Sequence, residues 1–176
     1  MFQPVGNLEL SFPNHTDYQD YCRELDISNA ISKTSYIING VTFTRESFVS
    51  LTDRLLVIRL TASKPGKIDF TANFTTPHAN SRIETKPGNQ ISLWGRTSDH
   101  EGIEGKVEFN ALMGLKAQNG RITQADTSIT VEHADEAILM VSIASNFNSY
   151  QDLSGYEVLR ARGFLDAGID KDYEVL

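Results

Sequence analysis

Residues 36–50 read YIINGVTFTRESFVS. Asn39-Gly40 is the strongest short hairpin signal, because both central positions of the tight turn need positive φ. One short strand runs into this turn and another leaves it at Val41. The second strand places Arg45 and Glu46 side by side between Phe43 and Phe48. Neighbours on a strand point to opposite faces, so the two charges project to opposite sides. Either one of them is buried against something, or the second face is not simply solvent.

Outward from this hairpin the chain reads as strand after strand. In KIDFTANF (67–74), Ile68, Phe70, Ala72 and Phe74 share one face, while Lys67, Asp69, Thr71 and Asn73 share the other. That alternation marks a half-buried antiparallel strand. In LLVIRLTA (55–62), Leu56, Ile58, Leu60 and Ala62 lie opposite Leu55, Val57, Arg59 and Thr61, so both faces are partly apolar. Lys64-Pro65-Gly66 between these segments is a turn signal, and the two are expected to pair as a hairpin. Further strands are expected at 90–95 after Pro87-Gly88, at 106–115, and at 127–131 and 136–144 after Asn119-Gly120. The segment 136–144 is apolar on both faces, which places it centrally under cover on both sides. With the opening NLELSF, about ten strands at this spacing point to an all-β fold, a sandwich of two antiparallel sheets over 1–146.

The character changes near residue 146. Residues 147–176 read as a linker with a helix over about 155–167. Ser154 is the expected N-cap, Glu157 the partner three residues on in a capping box, and Gly168 the C-terminal stop. The final IDKDYEVL looks like the start of another helix.

With 176 residues the chain can build one domain with a real core. A net charge of -7 argues against a nucleic-acid partner, whose phosphates need a basic surface. No apolar run approaches the roughly 20 residues of a membrane helix. The N-terminus shows no signal-peptide pattern. The single cysteine, Cys22, excludes an internal disulfide and reads as a half-buried small residue.

Chemical constellations are sparse. His15, His78, His100 and His133 fall in no metal-ligand spacing, and nucleotide and nucleophile motifs are lacking, so no metal or cofactor is expected. SDHEGIEG (98–105) gathers Asp99, His100, Glu101 and Glu104 between glycines. It reads as a polar loop lining a sugar cleft or holding a cation, or as a solvated hairpin connection. Trp94, the only tryptophan, is either a sugar-stacking platform or a core residue. Asn14-His15-Thr16 and Asn73-Phe74-Thr75 match the glycosylation acceptor pattern, which acts only in a eukaryotic secretory route.

Residues 21–70 carry a resemblance. The run Tyr21, Arg23, Glu24, Leu25, Asp26 is followed by Ala30, Tyr36, Gly40-Val41, Arg45-Glu46 with Phe48 and Ser50, and Arg59-Leu60. This pattern closely resembles the N-terminal β-sandwich domain of glycoside hydrolase family 95, the α-L-fucosidase-like enzymes. FQPVGNLEL (2–10) is similar to that family's opening strand, with Phe2 and Asn7 in place of Tyr and Asp, and GIEGKVEF (102–109) and DEAILMVSIASNFNSY (135–150) fit as well. The resemblance implies a super-sandwich domain that precedes an (α/α)6 barrel. In the family that barrel carries the general acid and the residues positioning water for inverting hydrolysis of terminal α-L-fucosyl or L-galactosyl linkages. Family members begin earlier and continue further, so the chain is expected to be a fragment with no catalytic residue of its own, and a periplasmic or secreted location is implied. Exposed sheet edges, and with them marginal stability or self-association, are expected.

Three readings follow: an accessory domain of such an enzyme, a free-standing carbohydrate-binding module, and a structural or interaction domain that recruits a separate chain. The expected partners are the catalytic barrel of the same or a split enzyme and fucosylated glycans. Trp94, Asp99, His100, Glu101 and Arg45 are the candidate sugar or domain contacts. Of the charged pair, Arg45 is the one expected to be partnered inside the whole enzyme, because its planar fork suits a paired, partly buried role; within this chain the partner is a residue such as Glu24 or Asp26, or is absent.

Overall fold

In a computed structural model describing residues 3–176, Asn39 and Gly40 take φ of 50° and 68° and join β3 (Ile31–Ile38) to β4 (Val41–Ser50). Before this hairpin lie β1 (Asn7–Ser11) and β2 (Gln19–Asp26). After it come β5 (Leu55–Ala62), β6 (Ile68–Thr75), β7 (Ser81–Lys86), β8 (Gln90–Arg96) and β9 (Glu108–Gln118). Then follow β10 (Arg121–Gln124), β11 (Ser128–Ala134), β12 (Glu136–Ser145), the helix α1 (Glu157–Gly168) and a short 3-10 turn, Tyr173–Val175. The strands form two antiparallel sheets: four in the order β1-β6-β11-β10 and eight in the order β2-β3-β4-β5-β12-β9-β8-β7. The all-β sandwich expected from the alternation is the fold.

Between the sheets lies the main core. It combines Ile68, Phe70, Ala72 and Phe74 of β6 and Ile129 and Val131 of β11 with Leu60, Leu139, Met113 and Leu93 of the large sheet. β12 sits between β5 and β9 with both faces covered, as its two-sided apolar pattern requires. Its outer face, with Leu55, Val57 and Leu112, forms a second core under Ala161 and Leu165 of α1. Gly114 on β9 lets the helix approach closely: a Cβ there would meet Ile169 Cδ1 at 2.8 Å.

The expected β5–β6 hairpin is not formed. β5 pairs with β4 and β12, whereas β6 pairs with β1 and β11 in the other sheet. The Lys64-Pro65-Gly66 turn is a crossover between layers, and the Gly66 N–H donates to Asp135 Oδ1 at 2.6 Å. The physical reason lies in the two patterns. β5 is apolar on both faces and needs cover on both, which an inner position in the large sheet supplies. β6 has one polar face and suits a sheet solvated on one side.

Three local expectations also change. The N-cap of α1 is Tyr156, without a side-chain cap, and Ser154 instead hydrogen-bonds in the preceding loop with Asp152 and Asn148. The expected last helix is only the single 3-10 turn. Cys22 is exposed rather than half-buried, because β2 is an edge strand whose eight residues are all exposed.

Candidate functional site

Arg45 and Glu46 project to opposite sides, and both sides are occupied. Arg45 shares the inner face with Val41 and Phe43. Its guanidinium lies 3.8 Å from the centroid of the Phe12 ring, and its Nη2 donates to Tyr36 Oη at 2.6 Å. The Tyr36 oxygen also lies within hydrogen-bond distance of His15 Nδ1, at 2.8 Å. Burial, followed by the Arg45 charge, lowers the His15 pKa from its usual value, with Asp69 opposing. Arg45 Nε is buried without a partner among the described residues.

Neither Glu24 nor Asp26 pairs with Arg45, and strand parity explains why. Arg23, Thr34 and Arg45 form one cross-strand row, while Glu24, Lys33 and Glu46 form the next, on the opposite face. Asp26 is spent on the turn, accepting from the backbone N–H groups of Ser28 and Asn29. On the outer face, Glu46 faces Lys33 at 3.5 Å and accepts from the Tyr173 hydroxyl at 3.4 Å. Burial, with the Glu46 charge next, pushes the Tyr173 phenol up to about 12. The C-terminal segment is therefore what covers the other face of this strand.

Trp94 lies on the outer face of β8, within a cross-strand row Arg82–Trp94–Asn110. The adjacent row contains Glu84 and Ser92. Together with Lys86 and with Val158 of α1, these side chains line a cleft of about 220 Å³ between three strands and the start of the helix. Trp94 is half-buried, and its indole N–H donates to Glu157 Oε1 at 3.0 Å. Glu157, the expected capping-box residue, is instead buried at the sheet–helix contact. The signal was available in the spacing: Glu157, Ala161, Leu165 and Gly168 fall on one helical face, and that face is the buried one. Asn110 donates to Ser92 Oγ at 2.8 Å on the cleft floor. Glu84 pairs with Lys86 at 2.6 Å and with Arg82, and hydrogen bonds from Lys86 first and Arg82 second hold its carboxyl below the usual range.

The 98–105 loop does not join Trp94 in this cleft. Asp99 Oδ1 accepts from the Gly105 N–H at 2.9 Å, His100 and Ile103 form an isolated bridge, and Glu101 is exposed with its carboxylate 3.7 Å from His100 Nε2. Asp99, His100 and Glu101 therefore form a local loop network. Among the described residues no three His, Cys, Asp or Glu side chains converge as a metal site would require. The sequence candidates thus occupy three separate places: Arg45 inside one end of the sandwich, Trp94 on the outer sheet, and the acidic loop at the surface.

Comparisons with known proteins agree on the region. The family model described as "Glycosyl hydrolase family 65, N-terminal domain" matches residues 1–150. "Alpha-L-fucosidase 2" of Arabidopsis thaliana is 31% identical over 174 residues, covering 84% of this chain and 20% of that protein. "Probable alpha-fucosidase A" of Aspergillus niger is 24% identical over 151 residues, covering 84% of this chain and 19% of its own length. The chain thus spans about a fifth of the curated relatives it matches. Among solved structures, "Putative kojibiose phosphorylase from human microbiome" superposes with a TM-score of 0.65 at 12% identity, covering 98% of this chain and 26% of that one. At that identity the likeness is one of fold. The relatives carry the fucosidase name that the 21–70 resemblance implied, while the matching family model carries the number 65 rather than 95.

Proposed function

Since this chain belongs to the glycosyl hydrolase family 65 N-terminal domain family, we propose that it serves as the accessory β-sandwich of an α-L-fucosidase-like enzyme. The whole enzyme would remove terminal α-L-fucosyl or L-galactosyl units with inversion, and its chemistry would reside in an (α/α)6 barrel outside these residues. The observation that carries the reading is the match to a fifth of a named fucosidase at 31% identity. The structure is compatible with it: Asp99 accepts from the Gly105 N–H of its own loop, Glu101 lies beside His100, and Glu104 lies beside Arg96. Tyr18, Tyr21, Leu25 and Ile27, exposed on and beside the open edge strand β2, supply apolar surface for the rest of the enzyme.

The experiment is a domain exchange. Deleting the matching segment from the Arabidopsis relative should abolish its fucoside hydrolysis, and inserting this chain in its place should restore activity. Full activity of the deleted enzyme would overturn the accessory role.

A further inference from the structure

We infer that the cleft over Trp94 is a carbohydrate subsite that takes one neutral pyranose residue. The proposal draws on the glycan-processing reading only for the choice of sugars; the rest is geometry and charge.

Cleft dimensions limit the ligand. About 220 Å³ lies below the roughly 300–1,000 Å³ of pockets for drug-sized ligands and leaves room for a single ring. The lining is mixed in the way a sugar requires. Trp94 offers an aromatic surface for the C–H face of a pyranose. Arg82 and Lys86 donate, Glu84 accepts, Ser92 retains its O–H as a donor, and Asn110, whose amide donates to Ser92 and to the Leu93 carbonyl, retains its oxygen as an acceptor. These groups come from three hydrogen-bonded strands, with Arg82 directly opposite Trp94 and Trp94 directly opposite Asn110. The strand register therefore places the polar groups around the indole without a mobile loop.

Pre-organisation is the second support. The indole N–H is already held by Glu157, so the ring stands in one orientation and little freedom is lost when a sugar stacks on it. Asn110, 1% exposed, and Ser92, 7% exposed, are similarly fixed by their mutual hydrogen bond.

Charge decides between a sugar and an anion. Arg82 and Lys86 are both paired to Glu84, and the Glu157 carboxylate sits behind Trp94. Two cations and two carboxylates leave the site without net charge, so a phosphate or sulfate finds no unpaired positive group. A neutral polyol can insert hydroxyls beside an already paired carboxylate and cation.

Because Trp94 is the only tryptophan, its emission reports on this cleft directly. The intact 176-residue protein is titrated with methyl α-L-fucopyranoside and methyl β-D-galactopyranoside, with inorganic phosphate as the contrasting probe. At least one glycoside should give a saturable emission change with a millimolar Kd. Arg82→Ala and Lys86→Ala, on an edge strand and away from the core, should each weaken it about fivefold while leaving the melting temperature unchanged. The proposal is overturned by an unresponsive emission together with no saturation-transfer NMR signal, by unchanged affinity in both variants, or by saturation with phosphate instead of the glycosides. These readouts involve no hydrolysis, so their failure leaves the accessory-domain reading standing, and failure of the domain exchange leaves this binding result standing.

Discussion

The Trp94 indole N–H donates to Glu157 Oε1 at 3.0 Å, with the glutamate only 4% exposed. This bond ties the first residue of α1 to the outer face of β8. Nearby, Ser142 Oγ donates to the Ala161 carbonyl at 2.8 Å, and Arg160 Nη1 to the Ser145 carbonyl at 2.9 Å. Glu157→Ala should therefore destabilise the protein by about 1–3 kcal/mol and leave a half-buried indole N–H unpaired. Glu157→Gln keeps an acceptor and should retain most of that stability. Denaturant melts of the two variants, with the emission maximum of Trp94 as the local probe, check the pair. Equal stability of Glu157→Ala and the unmodified protein would contradict the clasp.

Arg45 is stabilised by aromatic rings and a phenol rather than by a carboxylate. Arg45→Ala should cost about 1–3 kcal/mol, from the lost stacking over Phe12 and the lost donor to Tyr36. Arg45→Lys should recover little, because a compact ammonium cannot both stack on Phe12 and reach Tyr36 in the same plane. Glu24→Ala and Asp26→Ala should not mimic the Arg45 variants. Thermal unfolding of this set discriminates the aromatic cage from an ion pair, since an ion pair would tolerate lysine and respond to loss of the acid.

His15 gives the fold a pH dependence. Its folded pKa is lowered from 6.5, chiefly by burial and then by Arg45, against a smaller opposing pull from Asp69. Between the folded and unfolded values the unfolded chain binds more proton, so stability rises with pH in that window. The contribution is complete above about 6.5 and is lost as pH falls through the depressed folded value. Melting temperatures at pH 7.5 and 5.5 should differ by more in the unmodified protein than in His15→Gln. An equal drop in both would remove His15 as the cause.

Strand periodicity showed most of the sandwich, and it failed in a consistent place. β6 alternates buried and half-buried residues throughout its length, as KIDFTANF suggested. β2, β7 and β10 escaped strand assignment in the sequence, and all three are sheet edges. An edge strand with little or no buried face leaves no apolar alternation to read, as the wholly exposed QDYCRELD of β2 shows. The β5–β6 error has a different origin: a turn signal marks where the chain bends and does not say which sheet it enters next. At the candidate site, Trp94 was visible as an isolated aromatic. Its setting was not, because Arg82, Glu84 and Asn110 meet it through the register of the neighbouring strands β7 and β9, and β7 carries no alternation from which to read that register.

The C-terminal segment is held to the large sheet by polar contacts. Lys171 Nζ lies 2.5 Å from Asp53 Oδ1, Arg59 Nη1 lies 3.5 Å from Glu174 Oε1, and Tyr173 donates to Glu46. Hydrogen bonds from Lys171 and Ser50 lower the Asp53 pKa, so the contact is complete above the ordinary carboxylate range and is lost as pH falls through the depressed folded value. Asp53→Asn should raise amide exchange in residues 169–176 while leaving β12 protected. Tyr173 should titrate near 12, a component missing from the ultraviolet titration of Tyr173→Phe. Unchanged exchange in Asp53→Asn would show that the Lys171–Asp53 pair does not hold the segment.

The most direct test of the accessory role is turnover by the purified chain itself. With an aryl α-L-fucoside as substrate, product release should stay at the protein-free background at every protein concentration, and replacing Asp99, Glu101 and Glu104 by alanine should change nothing. Release that scales with protein concentration would contradict the account and place catalytic chemistry within these residues.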